Sequence, residues 1–311
     1  GLKQGMFTGD GLALSGKIRF DDLGVPDAVY QEMQQIKGES KVKRLQLEEL
    51  NNVLKPRQRN SHKGHFGHVL IVGGDSGYLG AARMAAEAAA RVGAGLVSIA
   101  TRASHAAMLS NVRPEIMSHA VETLDAIIPL IKRASVIAIG PGLGQSEWAK
   151  QLFARVLESN LPIVIDADGL NLLAEEGQAA DNWVITPHPG EAARLLKTDT
   201  AMIQSNRYQS IMMLSKKYPG PVVLKGCGTL IASSDGQQYV CDAGNPGMSS
   251  GGMGDVLTGV IAGLIAQGND LEFDINQATK LGVCLHAHAG DRAASVAGER
   301  GLLAMDLMPH L

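Results

Sequence analysis

Apolar positions fall into two regimes along the chain, and the change comes near residue 68. Residues 1–60 are polar and weakly periodic, and Lys37-Gly38-Glu39-Ser40-Lys41-Val42-Lys43-Arg44 reads as a linker or exposed connector. Leu47-Glu48-Glu49-Leu50 with Val53 and Leu54 has the spacing of one short helix, ended at Lys55-Pro56. From His68 onward, short continuous apolar runs alternate with helical periods. Val69-Leu70-Ile71-Val72 and Leu96-Val97-Ser98-Ile99-Ala100 predict buried strands, with an alanine-rich helix over 80–93 between them. Strands follow at 135–139, 162–165 and 183–186, interleaved with helices at 145–159, 169–175 and 189–197. Pro221-Val222-Val223-Leu224-Lys225 predicts a further strand. Thr229-Leu230-Ile231-Ala232 and Gln238-Tyr239-Val240 then form a hairpin, and helices finish the chain, the longest over 275–294. Unbroken Val/Ile runs separated by helices predict a mostly parallel sheet covered on both faces, an α/β fold built as a three-layer sandwich. In such sheets the ligand crevice lies beyond the carboxyl ends of the strands, where the glycine-rich turns fall.

Composition narrows the class. The 311 residues are 45% hydrophobic and 19% charged, enough apolar material for a large core. A net charge of −3, without Lys/Arg runs interleaved with aromatics, disfavours nucleic acid as a partner. No apolar stretch reaches the ~18 residues of a membrane span. Cys227, Cys241 and Cys284 form no C-x-x-C pair and suggest reduced thiols in a cytoplasmic setting. The chain opens on Gly1 without a methionine, which reads as a polypeptide whose natural start lies elsewhere.

The most informative segment is Asn245-Pro246-Gly247-Met248-Ser249-Ser250-Gly251-Gly252-Met253-Gly254-Asp255, which runs straight into an apolar helix over 256–265. Glycines let backbone N–H groups turn inward, and a helix N-terminus adds orphan donors and a favourable dipole end, so the site suits a phosphate. A carboxylate placed there would repel a phosphate that was merely bound. Asp255 makes sense as a base that takes a proton from the group attacking that phosphate; the bland alternative is an ordinary helix cap.

Other loops fall at the same sheet edge. Gly73-Gly74-Asp75-Ser76-Gly77-Tyr78-Leu79-Gly80 lacks the G-x-G-x-x-G spacing and reads as a substrate loop, with Ala81 leaving room for a bulky ligand. Gly140-Pro141-Gly142-Leu143-Gly144 offers backbone donors. In Asp166-Ala167-Asp168-Gly169-Leu170-Asn171 the acids either organise magnesium through water or cap a helix. Thr186-Pro187-His188-Pro189-Gly190-Glu191 holds His188 at the crevice between two prolines, which favours ligand contact over a core role, and Glu191 either caps a helix or faces the metal. Lys225-Gly226-Cys227-Gly228-Thr229 suits nucleotide phosphates or ribose, or is a plain turn. Three features read as decoys. The run Gly11-Leu12-Ala13-Leu14-Ser15-Gly16-Lys17-Ile18 ends in Ile18 where a P-loop needs Ser or Thr. His62, His65 and His68 lack a carboxylate or Cys companion for zinc. His286 and His288 face different sides of a helix, one toward the core and one toward the surface.

These loops, in this order over residues 61–255, resemble the C-terminal domain of the NAD(P)H-hydrate dehydratases, within the ribokinase-like superfamily. The likeness extends over 46–311 through the flanking helices. Gly5-Met6-Phe7-Thr8-Gly9 and Gly16-Lys17-Ile18-Arg19-Phe20-Asp21-Asp22-Leu23-Gly24 resemble the tail of the epimerase domain that precedes the dehydratase in bifunctional members. The resemblance divides the chain into an epimerase remnant with linker, 1–45, and a dehydratase domain, 46–311, cut from a longer bifunctional polypeptide; it carries no epimerase activity over.

The resemblance implies a hydro-lyase that dehydrates the S-epimer of NADH or NADPH hydrate. ADP or ATP would phosphorylate the hydroxyl on C6, and phosphate would then leave with AMP or ADP as the other product. Asp255 would be the base, with the amides around Gly252 and Gly254 stabilising the transferring phosphoryl group. Lys225, Gly226, Cys227, Gly228, Thr229 and Gly254 would bind the nucleotide. Ala81, Gly142, Gly144, His188 and Asp255 would contact the hydrate. Magnesium would ride on the phosphates, with Asp166 and Glu191 as candidate ligands. Bacterial bifunctional members favour ADP, and family resemblance implies a homo-oligomer, a tetramer. The rival reading is a ribokinase-like kinase acting on a vitamin hydroxymethyl group, whose phosphorylated product would persist. A catalytically silent nucleotide-binding module is a further alternative, against which the carboxylate of Asp255 argues.

Overall fold

Two apolar faces on one sheet organise the structure, a computed structural model that describes residues 3–37, 42–50, 53–268 and 274–311. The strands are β1 (Val42–Arg44), β2 (His68–Val72), β3 (Leu96–Thr101), β4 (Met117–Ala120), β5 (Val136–Ile139), β6 (Ile163–Ile165), β7 (Trp183–Ile185), β8 (Val222–Leu224), β9 (Thr229–Ala232) and β10 (Gln238–Cys241). The helices are α1 (Gly9–Ser15), α2 (Asp27–Lys37), α3 (Leu47–Leu50), α4 (Leu79–Arg91), α5 (Ala103–Val112), α6 (Leu124–Ile131) and α7 (Glu147–Leu157). They continue with α8 (Ala167–Glu176), α9 (Pro189–Leu196), α10 (Thr200–Ser205), α11 (Arg207–Lys217), α12 (Met253–Ala266) and α13 (Ile275–Ala297).

The strands form one sheet in the order β1-β10-β9-β8-β7-β6-β5-β2-β3-β4, parallel except for β9, which is antiparallel to both β8 and β10. Alternate strand residues divide between the faces. Leu70, Val72, Ile137, Ile139, Ile163 and Ile165 bury one face with Trp148, Leu152 and Phe153 of α7 and Leu170 and Leu173 of α8. Val69, Ile71, Val97, Ile99, Val136 and Ala138 bury the other, against the alanines of α4 and Leu257 and Ile261 of α12. Small residues set the distance there: a Cβ on Gly259 would lie 1.9 Å from the Ala85 carbonyl oxygen, so α12 and α4 touch backbone to backbone. The α/β sandwich expected from the alternation of patterns is present.

The N-terminal region departs from the sequence reading. Of the connector expected over 37–44, residues 38–41 lie outside the described residues, but Val42–Arg44 is not a connector. It pairs in parallel with β10, Val42 opposite Gln238, and extends the sheet. Val42 packs on the core and Arg44 pairs with Asp242 at 2.9 Å, which supplies the partners that a polar local pattern hides. The division anticipated after residue 45 thus falls one residue past a strand of the common sheet. Residues 4–15 likewise fold, as a short 3-10 turn (Gln4–Phe7) and α1. Helices α5, α6, α10 and α11 and strand β4 add to the elements read from the pattern. β4 is an edge strand with a half-polar sequence, Met-Ser-His-Ala, and so carries little periodic signal.

Candidate active site

The loop 245–255 lies past the end of β10 and delivers the chain into α12. Asn245 fixes its start: the side-chain oxygen accepts from the Gly247 amide at 3.0 Å, and its amide donates to Asp291 Oδ1 at 2.9 Å. The Gly244 amide donates to the other Asp291 oxygen, so one carboxylate on α13 pins the whole turn. Gly252, at φ +93°, is the N-cap of α12, and Asp255 falls in the first turn. The first-turn amides have no intrahelical partners and form an anion-receptive end. Asp255 is therefore not the cap residue.

Beside this helix end sits a buried charge centre. Asp166, at the end of β6, accepts from Lys225 Nζ at 2.6 Å on one oxygen and from Thr258 Oγ1 at 2.8 Å on the other. Lys225, at the end of β8, also lies 3.9 Å from Glu191 Oε2. Gly254 abuts both, since a Cβ there would lie 3.2 Å from Lys225 Nζ and 3.4 Å from Asp166 Oδ2. Burial opposes the charged form of Asp166, but the Lys225 charge and the bonds from Lys225, Thr258 and Thr186 outweigh it and hold the carboxyl below its ordinary range. Burial likewise opposes the charge on Lys225, and Asp166 and Glu191 restore it, so its pKa rises. Asp255 is pushed up to about 7 by burial and by the Asp166 charge; Lys225 pulls the other way. Burial also lifts Glu191 to about 7.

A cavity of about 430 Å³ opens on one side of this centre, lined by Lys225, Gly226, Cys227, Gly228, Thr229 and Gly254. All six residues expected to bind nucleotide therefore share one wall system. Leu12, Met248 and His286 also line it, none of them assigned from the sequence. His286 is buried with its Nε2 unpartnered among the described residues, and burial drives it down to about 4, so it is a neutral imidazole.

Besides Asp255, the residues expected to meet the hydrate, Ala81, Gly142, Gly144 and His188, follow the ends of β2, β5 and β7. A Cβ on Gly142 would lie 3.2 Å from the Ala81 Cβ. The Gly144 amide donates to Asp168 Oδ2 at 2.8 Å, and Asp168 is among the charges acting on Asp255. His188 caps α9, its Nδ1 accepting from the Gly190 amide at 3.0 Å, while Glu191 Oε2 accepts from the His188 amide at 2.7 Å. Half of the His188 side chain stays exposed at the crevice. Burial and then the Lys225 and Arg194 charges lower its pKa, consistent with an Nδ1 that accepts. An Asp75 carboxylate bound by Arg102 Nε at 2.7 Å and Ser146 Oγ at 2.8 Å braces the same rim.

Glu191 takes the capping role of the two left open for it, through its bond to the His188 amide. Asp166 fits direct magnesium ligation poorly. Both its oxygens are occupied, one by an ammonium, and a second cation beside Lys225 would be repelled. Among the described residues no group of three or more His, Cys, Asp or Glu is arranged to hold a metal ion. The histidines 62, 65 and 68 serve local contacts instead: His62 caps the turn Lys63–Phe66, and His68 bonds Ser98 at 2.8 Å. His286 is the core member of its pair, and half-buried His288 bonds the Cys284 carbonyl. All three cysteines are free thiols.

A three-layer α/β sandwich with a glycine-rich loop, a carboxylate at a helix N-terminus and a nucleotide-sized cavity at the carboxyl edge defines the ribokinase-like class. Within it the chain belongs to the NAD(P)H-hydrate dehydratase family, whose sequence profile matches residues 69–311. The bifunctional NAD(P)H-hydrate repair enzyme of Coxiella burnetii is 49% identical over 309 residues, 99% of this chain and 62% of that protein. The corresponding Escherichia coli enzyme is 44% identical, over 100% of this chain and 58% of that protein. The chain thus spans about three-fifths of the length of these relatives. The ADP/ATP-dependent NAD(P)H-hydrate dehydratase from Bacillus subtilis, co-crystallized with ATP/Mg2+, superposes with a TM-score of 0.77 at 28% identity, covering 88% of this chain and 97% of that one. Among the described residues no helix is long and apolar enough to cross a membrane.

Proposed function

We propose that this chain dehydrates NAD(P)H hydrate by phosphorylating it, with Asp255 as the base. The carrying observation is the position of Asp255, a largely buried carboxylate in the first turn of α12. The charges of Asp166, Lys225 and Asp168 act on it; its neighbour Gly254 lines the 430 Å³ cavity, and Asp168 accepts from the Gly144 amide of the rim. A nucleotide in that cavity would present its terminal phosphoryl group to the α12 amides. The C6 hydroxyl of the hydrate would approach from the rim.

Asp255 takes the hydroxyl proton as the oxygen attacks phosphorus; the O–P bond forms and the bond to the leaving nucleotide breaks, releasing AMP from ADP or ADP from ATP. Amides of the α12 first turn and the Lys225 ammonium stabilise the charge on the transferring group. The ring-nitrogen lone pair then expels phosphate from C6, and loss of a C5 proton restores the dihydronicotinamide. Magnesium carried on the nucleotide phosphates would neutralise part of their charge. The three free thiols support a cytoplasmic setting. A homo-oligomer remains our expectation, tested by sedimentation.

The test mixes purified protein with hydrated NADH or NADPH and either ADP or ATP. Recovery of absorbance at the reduced-nicotinamide band, with stoichiometric inorganic phosphate, is the expected result. A stable phosphorylated product without that recovery would instead mark a small-molecule kinase.

A further inference from the structure

The cavity wall includes a segment far from the glycine loops. Leu12 lies on α1, 57 residues before the family-matched region begins at residue 69. Its helix is fastened to the 225–229 loop by a compact set of bonds. The Gly9 amide donates to the Cys227 carbonyl at 2.8 Å, and the Thr8 hydroxyl lies 2.7 Å from the Gly228 carbonyl oxygen and 3.1 Å from that of Cys227. Gly228 is at φ +62°, and a Cβ there would sit 1.9 Å from the Phe7 carbonyl oxygen, so only glycine admits the hook at this distance. Phe7 and Thr8 are buried, and Tyr208 Oη donates to the Gln4 carbonyl at 2.8 Å.

Arg207 ties the two pieces together from beneath. It is 4% exposed, yet among the described residues no carboxylate pairs with it. Its Nε donates to Thr8 Oγ1 at 2.8 Å, and its other nitrogens reach Gln204 Oε1 and the carbonyls of Leu224 and Lys225 at 2.9 to 3.2 Å. A buried guanidinium satisfied only by neutral acceptors is expensive to keep unless its geometry is needed. Here it fixes, at once, the carbonyls of the nucleotide loop and the hydroxyl of the hook.

We propose that residues 4–15 form a working wall of the nucleotide site: Thr8, clamped by Arg207, positions the 225–229 loop, and Leu12 closes the cavity over the nucleotide. This rests on the proposed nucleotide-dependent reaction. Thr8 and Arg207 are positioning residues, and Leu12 contacts the ligand through apolar surface. Nucleotide affinity then depends on a segment outside the family-matched region, so whatever displaces the hook weakens nucleotide binding.

The test titrates ADP and ATP into the whole chain and into Leu12→Ala, Thr8→Val and Thr8→Ser, with hydrate turnover and unfolding midpoints measured in parallel. Leu12→Ala is expected to raise the nucleotide Kd and KM about 3- to 10-fold while kcat at saturating nucleotide stays within about twofold. Thr8→Val should do the same through the lost hydroxyl, and Thr8→Ser should restore wild-type affinity. Leu12 is only half-buried, so its variant should keep the wild-type midpoint without ligand and report on the wall even if Thr8→Val folds poorly. Unchanged affinity in Leu12→Ala, or a loss of kcat at constant KM, overturns the inference and leaves the functional reading standing. Wild-type protein that binds neither nucleotide overturns both.

Discussion

Lys225 crosses over β7 to reach Asp166, placing its ammonium 2.6 Å from the carboxylate on β6. Glu191 and Asp255 surround the same ammonium, so one cation serves three acids. Asp166 takes most of that charge because it lies against the ammonium and is bonded on both oxygens, which outweighs its burial. The other two are left short of positive charge, and burial raises both to about 7. The centre is thus poised: one acid favoured in its ionised form, one cation held in place, and two carboxyls able to gain and lose a proton near neutrality.

Removing Asp166 should be felt first as instability. Asp166→Ala leaves Lys225 buried with its principal partner gone, and breaking such pairs typically destabilises by about 3–5 kcal/mol. Urea unfolding monitored by circular dichroism checks this, and a loss under about 1 kcal/mol would show that the pair adds little.

Stability should also fall as pH rises through the neutral range at Glu191. Its folded-state pKa of about 7 exceeds the ordinary value near 4.5, so the folded chain holds the proton more tightly than the unfolded one. The stabilisation is complete below the unfolded pKa and is lost as pH rises toward about 7. Glu191→Gln, which keeps an oxygen for the His188 amide, should therefore gain stability relative to wild type at pH 8. That gain should shrink by pH 5. A difference independent of pH, from denaturation at several pH values, would rule out the raised pKa.

Turnover has the opposite sign. A base must be ionised to accept a proton, so activity should rise with pH around a midpoint near 7 and fade below it. A pH–rate profile of hydrate dehydration under saturating nucleotide reports this, and a rate flat from pH 5.5 to 8.5 would exclude Asp255 as the titrating group.

At Gly254, Ala should disturb the chemistry more than the fold. The added methyl would press on Lys225 Nζ from 3.2 Å and on Asp166 Oδ2 from 3.4 Å, shifting the ammonium away from the transferring group. Misplacement of this kind lowers rates by about 10- to 100-fold. Turnover near wild type in Gly254→Ala, with the unfolding midpoint unchanged, would show that the ammonium need not hold its place.

Much of this arrangement was legible in the sequence because parallel strands buried on both faces announce themselves as continuous apolar runs. Val69 to Val72 is such a run, and the glycine turns after β2, β5, β8 and β10 fall where the topology opens the crevice. Elements stabilised by tertiary partners were not visible. Val42–Arg44 looks like a charged connector because its pairing with β10 involves residues almost 200 positions away. Arg207 and Leu12 gave no local signal for the same reason; each acquires a role only when the N-terminal hook meets the 225–229 loop. Thr258 was closer to reach, since it stands three residues after Asp255 on one helix face and bonds Asp166.

The most direct test of the central claim is the pair of numbers obtained from Asp255→Asn: nucleotide affinity by titration and hydrate turnover by absorbance. The change keeps the shape of the side chain and removes its capacity to accept the hydroxyl proton. The account predicts nucleotide affinity close to wild type, with turnover reduced about 10²- to 10⁴-fold. Turnover within a few fold of wild type would contradict it, because the hydroxyl would then be activated without Asp255.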